Sequence, residues 1–136
     1  MKKTLLWLDD YRDPFDEKVD WMVFSPIGRD VHVEWVKSYR DFVEYIKRNG
    51  LPDGICFDHD LGLPAQLMHR SKGTSKRESR RLARETEKTG YDCAKWLCNY
   101  CDTVKKPLPT YAVQSANVVG KQNIISYLEN YKKMRV

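Results

Sequence analysis

The sequence lacks any long hydrophobic run. Its apolar stretches are far shorter than the roughly 20 residues that a membrane-spanning helix needs, so we predict no membrane partner. The opening residues MKKTLLWLDD begin like a signal peptide, but their apolar run is too short and ends in two aspartates. We interpret this run as a buried strand, and we expect a cytoplasmic protein.

The histidines and the cysteines are too few for two kinds of metal site. The three histidines, at positions 32, 59 and 69, are too few for the His-Asp phosphohydrolases, which need several histidines on helices. Four cysteines lie at positions 56, 93, 98 and 101. Cys98 and Cys101 have CxxC spacing, but no second ligand pair lies nearby, and a zinc site usually needs four ligands. We therefore predict buried thiols in a reducing compartment.

The most basic part of the chain contains no aromatic residue. Residues 69–88 hold eight Lys or Arg and three Glu, which gives this segment +5, the whole net charge of the chain. A basic insert at about 65–88 suggests contact with RNA, a nucleotide or another polyanion, the alternative being a solvated loop. Because residues 69–88 have no Phe, Tyr or Trp, we do not expect bases to stack on them.

Apolar runs alternate with helical patterns along the rest of the chain. Short apolar runs predict strands over 4–8, 31–36, 55–57 and 110–113, and periodic apolar residues predict helices over about 38–48, 89–101 and 118–132. This order is typical of an α/β fold with a parallel sheet and right-handed crossovers. We predict one domain over residues 1–136, with an open sheet of about four to five strands.

Acidic residues follow two of the predicted strands. Asp9 and Asp10 follow the first strand, and Asp58, His59 and Asp60 follow the third. Ligands bind at the carboxyl ends of such strands, and residues two apart on a strand share a side, so Asp58 and Asp60 can face one point. Converging carboxylates repel one another unless a cation neutralises them, and their oxygens suit Mg²⁺ or Mn²⁺. The alternative for any one of them is a helix or turn cap.

Polar residues at the end of the fourth strand predict a phosphate site. Ser115, Asn117 and Lys121 lie at a strand-to-helix junction, where backbone N–H groups and the helix dipole attract an anion. Asn117 could instead simply cap the last helix. Arg12 could clamp the phosphate or pair with a site carboxylate. His59 is a candidate general acid or base, and it could equally bind a metal or orient a carboxylate.

Two motifs resemble response-regulator receiver domains. They are Asp9-Asp10 after an apolar strand and Asp60-Leu61-Gly62-Leu63-Pro64 after another, and Ser115-Ala116 fits the receiver's hydroxyl residue followed by a small one. The resemblance implies a flavodoxin-like sheet, metal binding by Asp9, Asp10 and Asp60, a phosphoryl acceptor at Asp60, and phosphate contact by Ser115. The chain departs from the receiver pattern in one respect. Receivers have a fifth strand that carries a Lys-Pro pair, and we expect this chain to be truncated before such a strand. Lys121 is a candidate substitute for the receiver lysine.

Longer motifs are similar to a divergent group, the cyclic-phosphate-processing receiver domains. These motifs are Leu8-Asp9-Asp10-Tyr11-Arg12-Asp13-Pro14, Phe57-Asp58-His59-Asp60-Leu61-Gly62, Thr89-Gly90 and Ser115-Ala116-Asn117. Gln114 stands where the group has a histidine. The similarity covers nearly the whole chain apart from the basic insert.

The leading hypothesis is a metal-dependent phosphoesterase acting on a cyclic or terminal phosphate of RNA or a nucleotide. Asp58 or His59 would position water or transfer a proton, or Asp60 would act as a transient nucleophile. One alternative is a non-enzymatic, degenerate receiver that senses phosphate or docks a partner. Another is an RNA-binding accessory protein that uses the basic insert.

Overall fold

A computed structural model describes residues 2–10, 12–16, 21–59, 61, 88–115 and 117–134. These ranges contain all four predicted strands and the three predicted long helices. Asp60 lies outside the described residues, and so does the predicted basic insert apart from Lys88. That residues 1–136 form one domain stays a prediction.

The described residues form a four-stranded parallel sheet. Its strands are β1 (Lys3–Leu8), β2 (Val31–Val36), β3 (Gly54–Phe57) and β4 (Thr110–Val113), in the spatial order β2-β1-β3-β4. This is the first part of the flavodoxin-like strand order, in which the chain reverses direction across the sheet between β1 and β3. The predicted receiver-like α/β sheet is therefore confirmed.

Within the described ranges, four helices connect and follow these strands. They are α1 (Trp21–Phe24), α2 (Tyr39–Asn49), α3 (Gly90–Val104) and α4 (Val118–Met134). Ser38 caps α2 as predicted, because its hydroxyl accepts the N–H of Asp41 at 3.1 Å. Thr89 and Asp92 form a capping box that begins α3. In the described part of the chain, none of the helices is long and apolar enough to cross a membrane.

The side chains of the sheet alternate between two apolar layers. Leu6, Leu8, Ile55 and Phe57 pack with the buried faces of α2, α3 and α4. The opposite face carries a smaller cluster that includes Leu5, Trp7 and Cys56, with Ile27 from the β1–β2 connection packed against it. Each fully buried large side chain contributes about 1.5–3 kcal/mol by its removal from water. Both faces of the central strands are buried, which is typical of a parallel sheet.

All four cysteines are buried in these layers and none forms a disulfide. Burial raises the pKa of the Cys93 thiol well above its ordinary value, so the neutral thiol is favoured. The prediction of buried free thiols is confirmed.

The register of the sheet determines which residues meet at its carboxyl end. Trp7 pairs with Cys56, and Phe57 pairs with Val113. Asp9 lies two residues beyond Trp7, Asp58 lies one residue beyond Phe57, and Gln114 lies one residue beyond Val113. The same register therefore brings these three residues to one rim. Their convergence thus follows from strand pairing.

Candidate functional site

Asp9 is the most deeply buried polar residue at this rim, with only 2% of its surface exposed. Its Oδ1 accepts the backbone N–H of Arg12 at 2.8 Å, and its Oδ2 accepts the side-chain Nε2–H of Gln114 at 2.7 Å. The indole of Trp35 donates to the backbone carbonyl of Asp9 at 2.7 Å. A buried carboxylate needs such donors, because leaving an unpaired charge away from water is costly.

Gln114 connects the carboxylate to a cation. It is 3% exposed, and while its Nε2 donates to Asp9, its Oε1 accepts from Nη1 of Arg12 at 2.6 Å. These two hydrogen bonds join positions 105 and 102 residues apart in the chain. The indole of Trp7 donates to the backbone carbonyl of Arg12 at 3.0 Å, which further fixes the loop after β1. Arg12 therefore contacts the site carboxylate through an amide.

Three carboxylates converge beside this bridge. Asp9, Asp10 and Asp58 each offer an oxygen, and these oxygens all lie within 4.8 Å of one another. Asp9 is buried, while Asp10 and Asp58 are partly exposed. A set of three negative charges with oxygen donors fits a hard divalent cation such as Mg²⁺ or Mn²⁺. Each oxygen of a carboxylate has two lone pairs, so the hydrogen bonds on Asp9 leave it able to bind a metal.

The charges of this set are felt directly beneath it, at Cys56 on β3. Burial raises the pKa of the Cys56 thiol, the charges of Asp9 and Asp58 raise it further, and the Arg12 guanidinium lowers it in part. The carboxylates of Asp9 and Asp58 and the Arg12 guanidinium therefore all act on a thiol in the sheet.

His59 lies where two helices approach the end of β3. A Cβ on Gly90 would lie 1.9 Å from the carbonyl oxygen of Asp58, and a Cβ on Gly120 would lie 2.3 Å from Cγ of His59. Only glycine permits both approaches. The N–H of Gly90 also donates to the carbonyl of His59 at 2.8 Å. The start of α3 and the start of α4 therefore both pack on the Asp58-His59 segment.

Asn117 links His59 to α4. Its Oδ1 accepts the N–H of Gly120 at 2.9 Å, so Asn117 is the N-cap of α4, as the sequence alternative proposed. Its Nδ2 lies 3.4 Å from Nδ1 of His59. Because an amide nitrogen only donates, Nδ1 is the acceptor in this contact, and a neutral ring then carries its proton on Nε2.

The turn before α4 is shaped by the predicted phosphate-contacting residues. The N–H of Asn117 donates to the hydroxyl oxygen of Ser115 at 3.1 Å, and the N–H of Lys121 donates to the carbonyl of Asn117 at 2.9 Å. Ser115, Asn117 and Lys121 are all partly exposed. This places a hydroxyl and an amide just before a 17-residue helix and a lysine in its first turn, and the N-terminus of such a helix favours anions.

The structure brings together most of the predicted site residues that it describes. Asp9, Asp10 and Asp58 share one cluster, Arg12 joins it through Gln114, and His59 contacts Asn117. The sequence assigned the third metal position to Asp60 rather than Asp58, and Asp60 lies outside the described residues. The roles given to these residues, including those of Lys121 and Ser115, stay predictions.

Sequence reasoning missed three residues of the site. Gln114 was noted only as a departure from the family pattern, and nothing in its neighbours indicates that it joins Asp9 to Arg12. Gly90 is the first residue of α3 and Gly120 is the third residue of α4. Glycine is a poor helix former, and Gly90 also stands in the Thr89-Gly90 motif, so both features could have indicated close backbone contact.

One of three comparisons with known proteins found a match. The model of one protein family, described as the cyclic-phosphate processing receiver domain, matches residues 4–130. Comparisons with curated proteins and with solved structures found no match. The matched range includes β1 through most of α4, and with them every residue of the carboxylate rim. The chain belongs to the family of cyclic-phosphate processing receiver domains.

Proposed function

We propose that this domain is a divalent-metal-dependent phosphoesterase that hydrolyses a cyclic or terminal phosphate of RNA or a nucleotide. The observation that carries the proposal is the convergence of Asp9, Asp10 and Asp58 within 4.8 Å, at the rim where α4 begins. Membership of a family described by cyclic-phosphate processing supports the same substrate class. Mg²⁺ or Mn²⁺ bound there would neutralise the carboxylates and act as a Lewis acid on a phosphoryl oxygen.

The phosphate is held by Arg12, in the loop after β1, and by residues at the start of α4. Arg12 donates one N–H to Gln114 and has four further N–H donors for phosphate oxygens. Ser115, Asn117 and Lys121 supply a hydroxyl, an amide and an ammonium at the α4 N-terminus. Donors and positive groups for the phosphate thus accompany a negative set that suits the metal.

His59 presents an N–H to the leaving group. Hydrolysis of a cyclic phosphate forms a bond from the water oxygen to phosphorus and breaks the bond from phosphorus to one ribose oxygen, and the proton that the water loses is gained by that ribose oxygen. With Nδ1 facing the Asn117 amide at 3.4 Å, a neutral ring has its N–H at Nε2, which donates a hydrogen bond to the departing ribose oxygen and keeps its proton. Asp58 is adjacent in the chain; its carboxylate orients the attacking water, accepts the proton and passes it to the ribose oxygen. Asp60 as a third metal ligand or a transient nucleophile stays a prediction.

Turnover assays with a strand-matched control test the proposal. The substrates are RNA ending in a 2′,3′-cyclic phosphate, 2′,3′- and 3′,5′-cyclic nucleotides, and RNA ending in a 3′-phosphate, each with Mg²⁺, Mn²⁺ or EDTA. We expect metal-dependent turnover that Asp58→Asn lowers at least about 100-fold, the usual scale for losing a key electrostatic contact. Asp53→Asn, at the opposite end of the same strand, should stay within twofold of wild type.

Asp58 is a cleaner target than Asp9 for this assay. Asp9→Asn would place an amide nitrogen against that of Gln114 and so disturb the fold as well as the site. Absence of turnover on every substrate, even with Mn²⁺, would contradict the proposal. Covalent labelling by acetyl phosphate without turnover would instead favour the degenerate-receiver alternative.

A further inference from the structure

We infer that Gln114 is a positioning residue that holds the Asp9 carboxylate and the Arg12 guanidinium apart, so that one binds a cation while the other binds an anion. The inference rests on the proposed function, because it deepens the division of that site into a metal half and a phosphate half. It assigns a role to Gln114, which the sequence shows only as a departure from the histidine of the family pattern.

The orientation of the Gln114 amide follows from its two partners. A carboxylate can only accept hydrogen bonds and a guanidinium can only donate them. The amide nitrogen must therefore face Asp9, at 2.7 Å, and the amide oxygen must face Arg12, at 2.6 Å. At 3% exposure the side chain is enclosed, so this one orientation is maintained.

Without the amide, the two charged groups would attract each other. Arg12 is tethered close to Asp9, because its own backbone N–H donates to Asp9 Oδ1 at 2.8 Å. The indoles of Trp7 and Trp35 hold the backbone carbonyls of Arg12 and Asp9, so the tether is short and fixed. A direct pair would use the lone pairs of Asp9 that a metal needs and the donors of Arg12 that a phosphate needs.

A neutral amide satisfies both groups without neutralising either. It removes the cost of burying Asp9 unpaired, and it leaves the full negative charge of the carboxylate set in place. The chemistry required at position 114 is therefore one donor and one acceptor, about as far apart as the two ends of an amide. A neutral histidine, the residue of the family pattern, also offers one of each.

Two substitutions separate this role from packing. Gln114→Met keeps the length of the side chain but has no donor and only a weak acceptor. Gln114→His restores both at pH 8, where an ordinary histidine is neutral. Mn²⁺ binding is measured by electron paramagnetic resonance and inorganic phosphate binding by calorimetry. We expect Gln114→Met to weaken both at least tenfold and Gln114→His to stay within threefold of wild type, with circular dichroism confirming that each variant is folded.

Arg12→Met completes a double-mutant cycle. If Gln114 separates the charges, then removing the guanidinium strengthens Mn²⁺ binding at least threefold more in the Gln114→Met protein than in wild type. Equal effects in the two backgrounds would overturn the inference. So would wild-type binding by Gln114→Met, or tenfold weaker binding by a folded Gln114→His. Should Gln114→Met not fold, Gln114→His alone decides.

The outcomes also distinguish this inference from the proposed function. A wild-type protein that binds Mn²⁺ and phosphate, responds to these variants as expected and hydrolyses no phosphate ester would refute the enzyme and support the role of Gln114. Hydrolysis by the wild-type protein, together with equal Mn²⁺ affinities in the wild-type and Gln114→Met proteins, would support the enzyme and refute the role of Gln114.

Discussion

The two ends of the sheet differ in how they hold their charged groups. At the amino end, Asp53 accepts the N–H of Thr4 at 2.8 Å in an exposed position, and the hydroxyl of Tyr111 donates to the exposed Glu129. These carboxylates have water and a donor beside them. At the carboxyl end Asp9 is almost fully buried, and two further carboxylates lie within 4.8 Å of it.

The charged groups of the amino end are thus held individually beside solvent, whereas those of the carboxyl end are gathered into one candidate site. Exposed polar contacts of the amino-end kind contribute little to stability, about 0–1 kcal/mol each. The carboxyl end gathers like charges that oppose folding, and it holds them with hydrogen bonds between residues more than 100 positions apart. Such an arrangement costs stability in the metal-free protein, which is why we place the function there.

The largest expected difference between the two ends is in backbone packing. Gly90→Ala should lower the free energy of unfolding by about 3 kcal/mol, the upper end of typical overpacking costs, because its Cβ would lie 1.9 Å from the Asp58 carbonyl oxygen. Gly54→Ala, at the amino end of β3, should cost about 1 kcal/mol, since its Cβ meets the side-chain tip of Ile27 at 2.9 Å. Urea denaturation of both variants measures these costs.

Neither glycine has a positive φ, so backbone strain enters neither substitution. Alanine is a better helix former than glycine, so Gly90→Ala should stabilise α3 if the new methyl group met open space. A Gly90→Ala protein as stable as Gly54→Ala would show that the start of α3 does not press on the end of β3.

The next difference concerns charge, and it compares the loss of the Asp58 carboxylate at the carboxyl end with the loss of the Asp53 carboxylate at the amino end. Asp58→Asn should weaken Mn²⁺ binding by about 100-fold, or about 2.7 kcal/mol, because it removes one of three carboxylates. It should also raise the melting temperature of the EDTA-treated protein by about 3 °C, since like-charge repulsion falls by roughly 1 kcal/mol. Asp53→Asn should change neither quantity appreciably. Calorimetric titration and thermal melts in EDTA measure the two effects.

Opposite signs for metal binding and apo stability are the signature of a functional carboxylate. If Asp58→Asn lowered both, Asp58 would be a structural residue that happens to lie near Asp9. If Asp53→Asn changed metal binding and melting temperature as much as Asp58→Asn does, the contrast between the two ends of the sheet would disappear.

Much of the fold could be predicted because it depends on local pattern. The strands over 31–36 and 110–113 were predicted with their observed bounds, since short apolar runs between turn residues leave few alternatives. The helix after Ser38 was predicted from its cap and its apolar face, and it ends one residue later than expected. The approach of α3 and α4 to the end of β3 was not predicted, because Gly90 and Gly120 indicate close packing without indicating which atoms they approach.

The candidate site divides in the same way. Asp9, Asp10 and Asp58 could be predicted to converge, because the ends of parallel strands share one rim. The bridge through Gln114 could not, since an amide that joins a carboxylate to a guanidinium leaves no trace in its sequence neighbours. Asn117 was predicted both as a cap and as a phosphate contact, and the structure confirms the first of these roles.

The smallest expected effect belongs to the amino end and appears only in alkali. Burial raises the pKa of Tyr111, and its hydrogen bond to Glu129 raises it further. Its folded pKa lies above its unfolded value of 10.0, so the folded chain keeps the phenol proton when the unfolded chain loses it. This contribution to stability is complete below pH 10 and is lost as the pH rises further. Tyr111→Phe should therefore flatten the decline in unfolding free energy above pH 10.

The size of that change is limited by solvent. Tyr111 is only partly buried and Lys132 lies 5.4 Å from its ring, so the slope should change by less than the ~1.4 kcal/mol per pH unit of one whole proton. Part of the decline should remain in Tyr111→Phe, because burial also raises the pKa of Cys56 and Cys93. Urea denaturation of both proteins between pH 8 and pH 11 measures the slopes. Identical slopes would mean that the Tyr111 phenol titrates alike in the folded and unfolded chains.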